Sequence, residues 1–135
     1  MDSQDIFEDL KITNDYHKYI WRLEELITID KYDHLACYNL AYIYDKLGQY
    51  EEAQLYYEEA IEKGNIMAIN DLAYMYEKRD HNKMAEKYYK KAIKFNYKES
   101  IYHLALLYEK QERYVEAIEY YKLAIENGDK ELLHD

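Results

Sequence analysis

From His34 onward, apolar and polar positions follow a helical rhythm. Ala36 or Cys37, Leu40, Ala41 and Tyr44 recur at intervals of three and four, which puts them on one helix face. A polar turn follows, Lys46-Leu47-Gly48-Gln49, and then Ala53, Tyr57, Ala60 and Ile61 form the stripe of a second helix. The arrangement returns at an offset of 32 residues. Leu40-Ala41 falls on Leu72-Ala73 and Leu104-Ala105, and Tyr44 on Tyr76 and Tyr108. Ala53 falls on Ala85 and Ala117, Tyr56-Tyr57 on Tyr88-Tyr89 and Tyr120-Tyr121, and Ala60-Ile61 on Ala92-Ile93 and Ala124-Ile125. Repetition at one offset is the signature of a repeat protein. It predicts units at 34–65, 66–97 and 98–129, each a helix pair: 34–46 with 50–63, 66–78 with 82–95, and 98–110 with 114–127. No strand is expected anywhere in 34–129.

Local chemistry agrees with that division. Ala41 and Ala53 lack bulk where two helices must approach, and Tyr44 and Tyr57 fill the space beside them. Gly64, Asn96 and Gly128 close successive second helices, and Gly and Asn accept the left-handed C-cap conformation. Residues 1–33 read as a degenerate unit. Tyr16 through Ile27 matches Tyr50 through Ile61 at an offset of 34, and Ile6, Phe7 and Leu10 line a short first helix. Residues 130–135 start a further first helix and stop. The expectation is a single all-α domain, 1–135, of seven main helices and a short eighth.

These residues resemble tetratricopeptide repeats, whose period is about 34 residues and whose pattern includes Leu-Gly-x-x-Tyr, Ala and an aromatic. The early Trp of that family is replaced by Cys37, Ile69 and Ile101, its small Gly by Ala41, Ala73 and Ala105, and its helix-ending Pro is absent. Ala60-Ile61-Glu62-Lys63-Gly64 running into Ala68 and Leu72-Ala73 is similar to the inter-repeat turn of Sel-one-like repeats, as is the Tyr-Tyr pair. Their longer loop inside each unit is missing. The resemblance implies a right-handed α-solenoid of antiparallel helix pairs acting as a protein-interaction adaptor or scaffold.

Solenoids of this kind line a concave surface with their first helices. The face opposite Leu40, Ala41 and Tyr44 carries Tyr38, Asn39, Tyr42 and Asp45, at helical spacing. Its counterparts are Asn70, Asp71, Tyr74 and Glu77, then Tyr102, His103, Leu106 and Glu109. As a groove, this stripe offers tyrosine anchors and an amide that holds a peptide backbone through donor and acceptor. The alternative is a solvated face that happens to be rich in tyrosine. The basic residues with which some relatives clamp a C-terminal carboxylate are absent from the stripe, so that clamp is rejected. Asp45, Asp71, Glu77, Glu99 and Glu109 favour a protein or peptide partner with basic or polar groups. A second expectation is self-assembly: Ile118, Tyr121, Leu123 and Ile125 lie near faces a further helix would cover, with Leu132 and Leu133 shielding part of them. That end would then form a homodimer.

Composition narrows the choice. Hydrophobic residues make up 49%, so the chain is not compositionally disordered, and 3 glycines with no proline leave little turn chemistry for a sheet. The 19 tyrosines suit half-buried surfaces, although abundant Tyr, Ile, Lys and Asn also fit an AT-rich coding sequence. The net charge of −10 opposes a general affinity for nucleic acid or anionic lipid. It is unevenly spread: Glu51, Glu52, Glu58, Glu59 and Glu62 share one helix, and Lys83, Lys87, Lys90, Lys91 and Lys94 the next equivalent one. These read as solvated faces that attract each other; a local basic patch for an acidic partner or RNA is the sharper alternative. Cys37 stands alone, which suits a reducing compartment, and it shares the core slot of Ile69 and Ile101. The acidic start lacks a secretory signal's apolar stretch, and no run reaches the roughly 20 residues of a membrane span, so a cytoplasmic location is expected. Glycine occurs only at Gly48, Gly64 and Gly128, which leaves no phosphate-binding loop. His17, His34, His81, His103 and His134 are scattered rather than paired as metal ligands. No enzyme activity, cofactor or metal is expected.

Overall fold

The structure, a computed structural model, describes residues 1–128. Among them it is all-α, with eight helices and no strand: α1 (Ser3–Leu10), α2 (His17–Ile29), α3 (His34–Lys46), α4 (Tyr50–Glu62), α5 (Ile66–Lys78), α6 (Asn82–Lys94), α7 (Glu99–Lys110) and α8 (Tyr114–Glu126). The periodicity places α3 to α8 to within a residue. The expectations for residues 130–135, Leu132 and Leu133 among them, lie outside the described residues.

Short polar side chains set the helix starts. Asp2 and Asp5 form a reciprocal capping box at α1, with Asp5 N–H donating to Asp2 Oδ1 at 2.9 Å and Asp2 N–H to Asp5 Oδ2 at 3.3 Å. Asp33 Oδ1 accepts from Ala36 N–H at 2.9 Å, and Asn65 Oδ1 from Ala68 N–H at 3.0 Å, so α3 and α5 each open on a satisfied donor.

The chain divides into two compact units, Met1–Asp71 and Leu72–Asp135. The first holds α1 to α4 and the start of α5, around a core that includes Ile6, Leu10, Tyr19, Leu23, Ala36, Leu40 and Ile43. The second holds the rest of α5 with α6, α7 and α8, and buries Leu72, Met75, Leu104 and Leu107 completely. Ala41, Ala53, Ala73, Ala85 and Ala105 have no exposed surface, as their expected place at close helix contacts requires.

Tyrosine ties each first helix to its second in two ways. Tyr44 stacks on Tyr56 with ring centroids 5.8 Å apart, Tyr76 on Tyr88 at 5.7 Å, and Tyr108 meets Tyr120 at 5.5 Å. The next tyrosine along donates its hydroxyl to an acid twelve residues earlier. Tyr57 bonds Asp45 Oδ2 at 3.0 Å, Tyr89 bonds Glu77 Oε1 at 2.8 Å, and Tyr121 bonds Glu109 Oε1 at 2.5 Å. The first two bonds are buried, and a buried carboxylate needs such donors. Burial first, then the charges of Asp71 and Asp45, pushes the Tyr57 phenol well above its ordinary value, so it stays a donor.

The turns of the α3–α4, α5–α6 and α7–α8 pairs each use one left-handed residue: Gly48 (φ 78°), Asp80 (φ 61°) and Glu112 (φ 60°). Gln49, His81 and Arg113 N–H groups then reach back to the carbonyls of Tyr44, Tyr76 and Tyr108 at 2.8, 2.9 and 2.9 Å, closing the helix ends. Gly64, Asn96 and Gly128 are left-handed as the sequence predicts. Asp80 and Glu112 carry no such sequence signal; only their alignment with Gly48 discloses the requirement.

Two stability outcomes follow. Tyr57→Phe strips a donor from a buried carboxylate and is expected to cost about 1.5–3 kcal/mol, against less than about 1 kcal/mol for Tyr121→Phe at its exposed acid. Urea midpoints compare them, and equal losses would show the buried bond has no special weight. Glu112→Gly relieves a left-handed non-glycine and is expected to gain about 1 kcal/mol or less, whereas Gly48→Ala loses a similar amount.

Candidate functional site

In the first unit, α1 lies against α3 and the stripe on α3 is largely claimed by that contact. Tyr38 is only 8% exposed; its ring meets Phe7 at 6.1 Å and Tyr57 at 6.2 Å, and its hydroxyl donates to Asp71 Oδ2. Asn39 is fully buried, with Nδ2 donating to Ser3 O at 2.9 Å. One of its two N–H donors is therefore occupied. Its Oδ1 is the buried side-chain polar atom left without a hydrogen bond among the described residues. Tyr42 is half-buried, edge-on to Tyr16 at 6.2 Å, with Lys46 Nζ 5.3 Å over its ring. Asn70 is buried.

Phe7 and Leu10 of α1 and its capping residue Lys11 join Tyr38, Asn39 and Tyr42 around a cavity of about 180 Å³. At about 30 Å³ per water, that is room for roughly six waters or one large side chain. Three of its six lining residues were named from sequence. The other three come from α1 and its C-terminal cap, where Phe7 and Leu10 read as core; the offset of 34 that relates 1–33 to the next unit already sets α1 beside α3.

In the second unit, Tyr74 of α5 is 49% exposed under Lys78 Nζ, 5.0 Å from its ring centroid. On α7, Tyr102 and His103 are half-buried, Tyr102 against Tyr121 at 5.9 Å and His103 against Tyr89 at 5.9 Å, while Leu106 is half-buried beside them in the stripe. The acids of the stripe are less available than sequence suggests. Asp45, Glu77 and Glu109 each accept a tyrosine hydroxyl, and Glu77 Oε2 also takes Lys110 Nζ at 2.9 Å. Cys37 is buried as a core residue, 3.2 Å from Lys63 Nζ; burial pushes its thiol up, and the lysine only partly opposes this.

With this geometry in hand, models of the tetratricopeptide repeat match residues 34–62, 66–98 and 100–133. The chain belongs to the tetratricopeptide repeat superfamily. Solved structures agree on the fold. A crystal structure of MamA is similar at TM-score 0.75 and 22% identity, over 88% of this chain and 72% of that one. A tetratricopeptide repeat protein from Parabacteroides merdae is similar at TM-score 0.76 and 20% identity, over 95% of this chain and 54% of that one. YrrB, described as a TPR protein with an unusual peptide-binding site, is similar at TM-score 0.68 and 19% identity, over 90% and 65%. No curated protein matches the sequence. Among the described residues of this tetratricopeptide protein, no helix is long and apolar enough to cross a membrane.

Asp71 offers a pH test of the site. Burial lifts its carboxyl above the ordinary value, although hydrogen bonds from Tyr38 and Asn70 and the nearby Lys46 pull the other way. The folded state then keeps the proton longer than the unfolded chain, so ionisation lowers stability as pH rises past about 3.9. Asp71→Asn is expected to raise the urea midpoint at pH 7, with the advantage over the native chain shrinking as pH falls toward about 4 and absent below it. A lower midpoint for the variant at pH 7 would mean the hydrogen bonds outweigh the burial.

Proposed function

We propose that this tetratricopeptide protein is a protein-interaction adaptor that holds a peptide segment on the faces of its first helices. The observation that carries the reading is the cavity between α1 and α3, with Asn39 in its wall. Phe7, Leu10 and Tyr42 would surround an apolar side chain of the peptide. Residues 1–71 carry 16 acidic and 6 basic side chains, the whole of the net −10, which favours basic or polar neighbours along that peptide. In the second unit, Tyr74, Tyr102, His103 and Leu106 supply a second aromatic patch. YrrB supports the analogy through its described peptide-binding site.

Peptides enriched from a random display library provide the ligand for titration. Tyr42→Ala with Tyr74→Ala is expected to weaken binding by about 1–2 kcal/mol per anchor, or roughly 5- to 30-fold each, with helicity intact. Glu58→Ala serves as the unaffected control. An unchanged affinity in the double variant would move the site off these faces.

A second reading, self-assembly through α8, rests on exposed apolar residues. Val115, Ile118 and Leu123 are 71%, 54% and 36% exposed. Ile118 stands at the position of Glu86, which in α6 is covered by Tyr108 and Arg113 of the following helix pair. Apolar docking of two copies there would persist in high salt and fail in Ile118→Lys with Leu123→Lys.

A further inference from the structure

The outward strips of α4 and α6 occupy the same positions of successive helix pairs. A shift of 32 residues carries Glu51, Leu55, Glu58 and Glu62 onto Lys83, Lys87, Lys90 and Lys94. The spacing of four, three and four keeps each set on one helix face. Their charges are opposite and concentrated. Between residues 50 and 62 there are five glutamates and no basic residue. Residues 78–98 carry eight basic and two acidic side chains, a local +6 in a chain whose remaining residues carry −16.

Both strips face solvent. The four lysines and Glu51 and Glu62 are exposed, and Glu58 is half-buried. Lys90 leans on Glu86 at 2.8 Å and Glu58 accepts from Gln54 Nε2 at 3.0 Å. Among the described residues, Lys83, Lys87, Lys94, Glu51 and Glu62 have no ion-pair partner. Leu55 stands 66% exposed in the middle of the glutamate strip, and Trp21 holds the same outward position on α2, 71% exposed.

We propose that the α6 strip of one copy docks on the α4 strip of a second copy. Lysine suits both parts of that surface. Its ammonium pairs with Glu51, Glu58 or Glu62, and its methylene stem covers Leu55. Matched spacing lets several pairs form together, which is needed because one exposed pair contributes little. A long polyanion such as nucleic acid is a poorer occupant, since it meets the −16 carried by the rest of the chain. The contact uses different surfaces on the two copies, so each docked pair leaves one strip of either sign free and association runs head to tail. It is independent of the peptide-binding faces.

Light scattering and sedimentation of the full chain test it. At about 0.01 M salt, where charges reach about 30 Å, the average mass is expected to rise above the 16.6 kDa of one chain as concentration rises. At about 1 M salt, where the reach is about 3 Å, it should return to that value. One variant carries Lys83→Glu, Lys87→Glu, Lys90→Glu and Lys94→Glu, and another Glu51→Lys, Glu58→Lys and Glu62→Lys. Each alone is expected to stay monomeric with native helicity, and their equimolar mixture to regain association. Where a reversal lowers helicity, Lys83→Gln with Lys87→Gln and Glu51→Gln with Glu62→Gln replace it, each expected to weaken association at least tenfold. The proposal is overturned by a wild type that remains monomeric at low salt, including one whose α6 strip binds a polyglutamate peptide instead. It is equally overturned by a lysine-reversed variant that still associates alone, or by a mixture that fails to form complexes.

Discussion

Everything else in this chain depends on how closely the two helices of a pair approach. Fully buried alanines at 41, 53, 73, 85 and 105 remove the side-chain bulk that would hold the helices apart. Tyrosine then spans the contact from the second helix to the first. Its ring supplies apolar area and its hydroxyl ends on Asp45 or Glu77, acids that would otherwise be buried at a cost of several kcal/mol. Phenylalanine could fill the same space but would leave the carboxylate without that donor. Much of the tyrosine content, ambiguous as composition, thus becomes a structural requirement: six of the 19 sit at positions 56, 57, 88, 89, 120 and 121.

The fold was legible because its signals are periodic. Leu40-Ala41, Tyr44 and Tyr56-Tyr57 recur with an unvarying offset, and helix boundaries follow from them to within a residue. Turn residues were legible where glycine or asparagine announced them and silent at Asp80 and Glu112, where position within the repeat overrides residue preference. Alignment to Gly48 was the signal that could have found them.

The candidate site was only partly legible. Helical spacing grouped Tyr38, Asn39 and Tyr42 on one face, and the structure gathers all three around a cavity. Spacing cannot say how deep a neighbouring helix buries such a stripe. The Asn39 side chain is committed to the Ser3 carbonyl 36 residues away, and Tyr38 to Asp71, both tertiary contacts with no local trace. Acids counted as open from sequence are tied down by hydroxyls twelve residues along, a pairing that appears only once the helices are laid side by side.

The single tryptophan, Trp21, is 71% exposed on α2 while the chain is folded. Its indole is therefore already in water, and unfolding changes its surroundings little. Tryptophan emission would be a poor gauge of folding in this molecule. The informative optical signal lies in the tyrosines, which pass from ring-on-ring contacts and buried hydroxyl bonds into solvent when the helix pairs come apart.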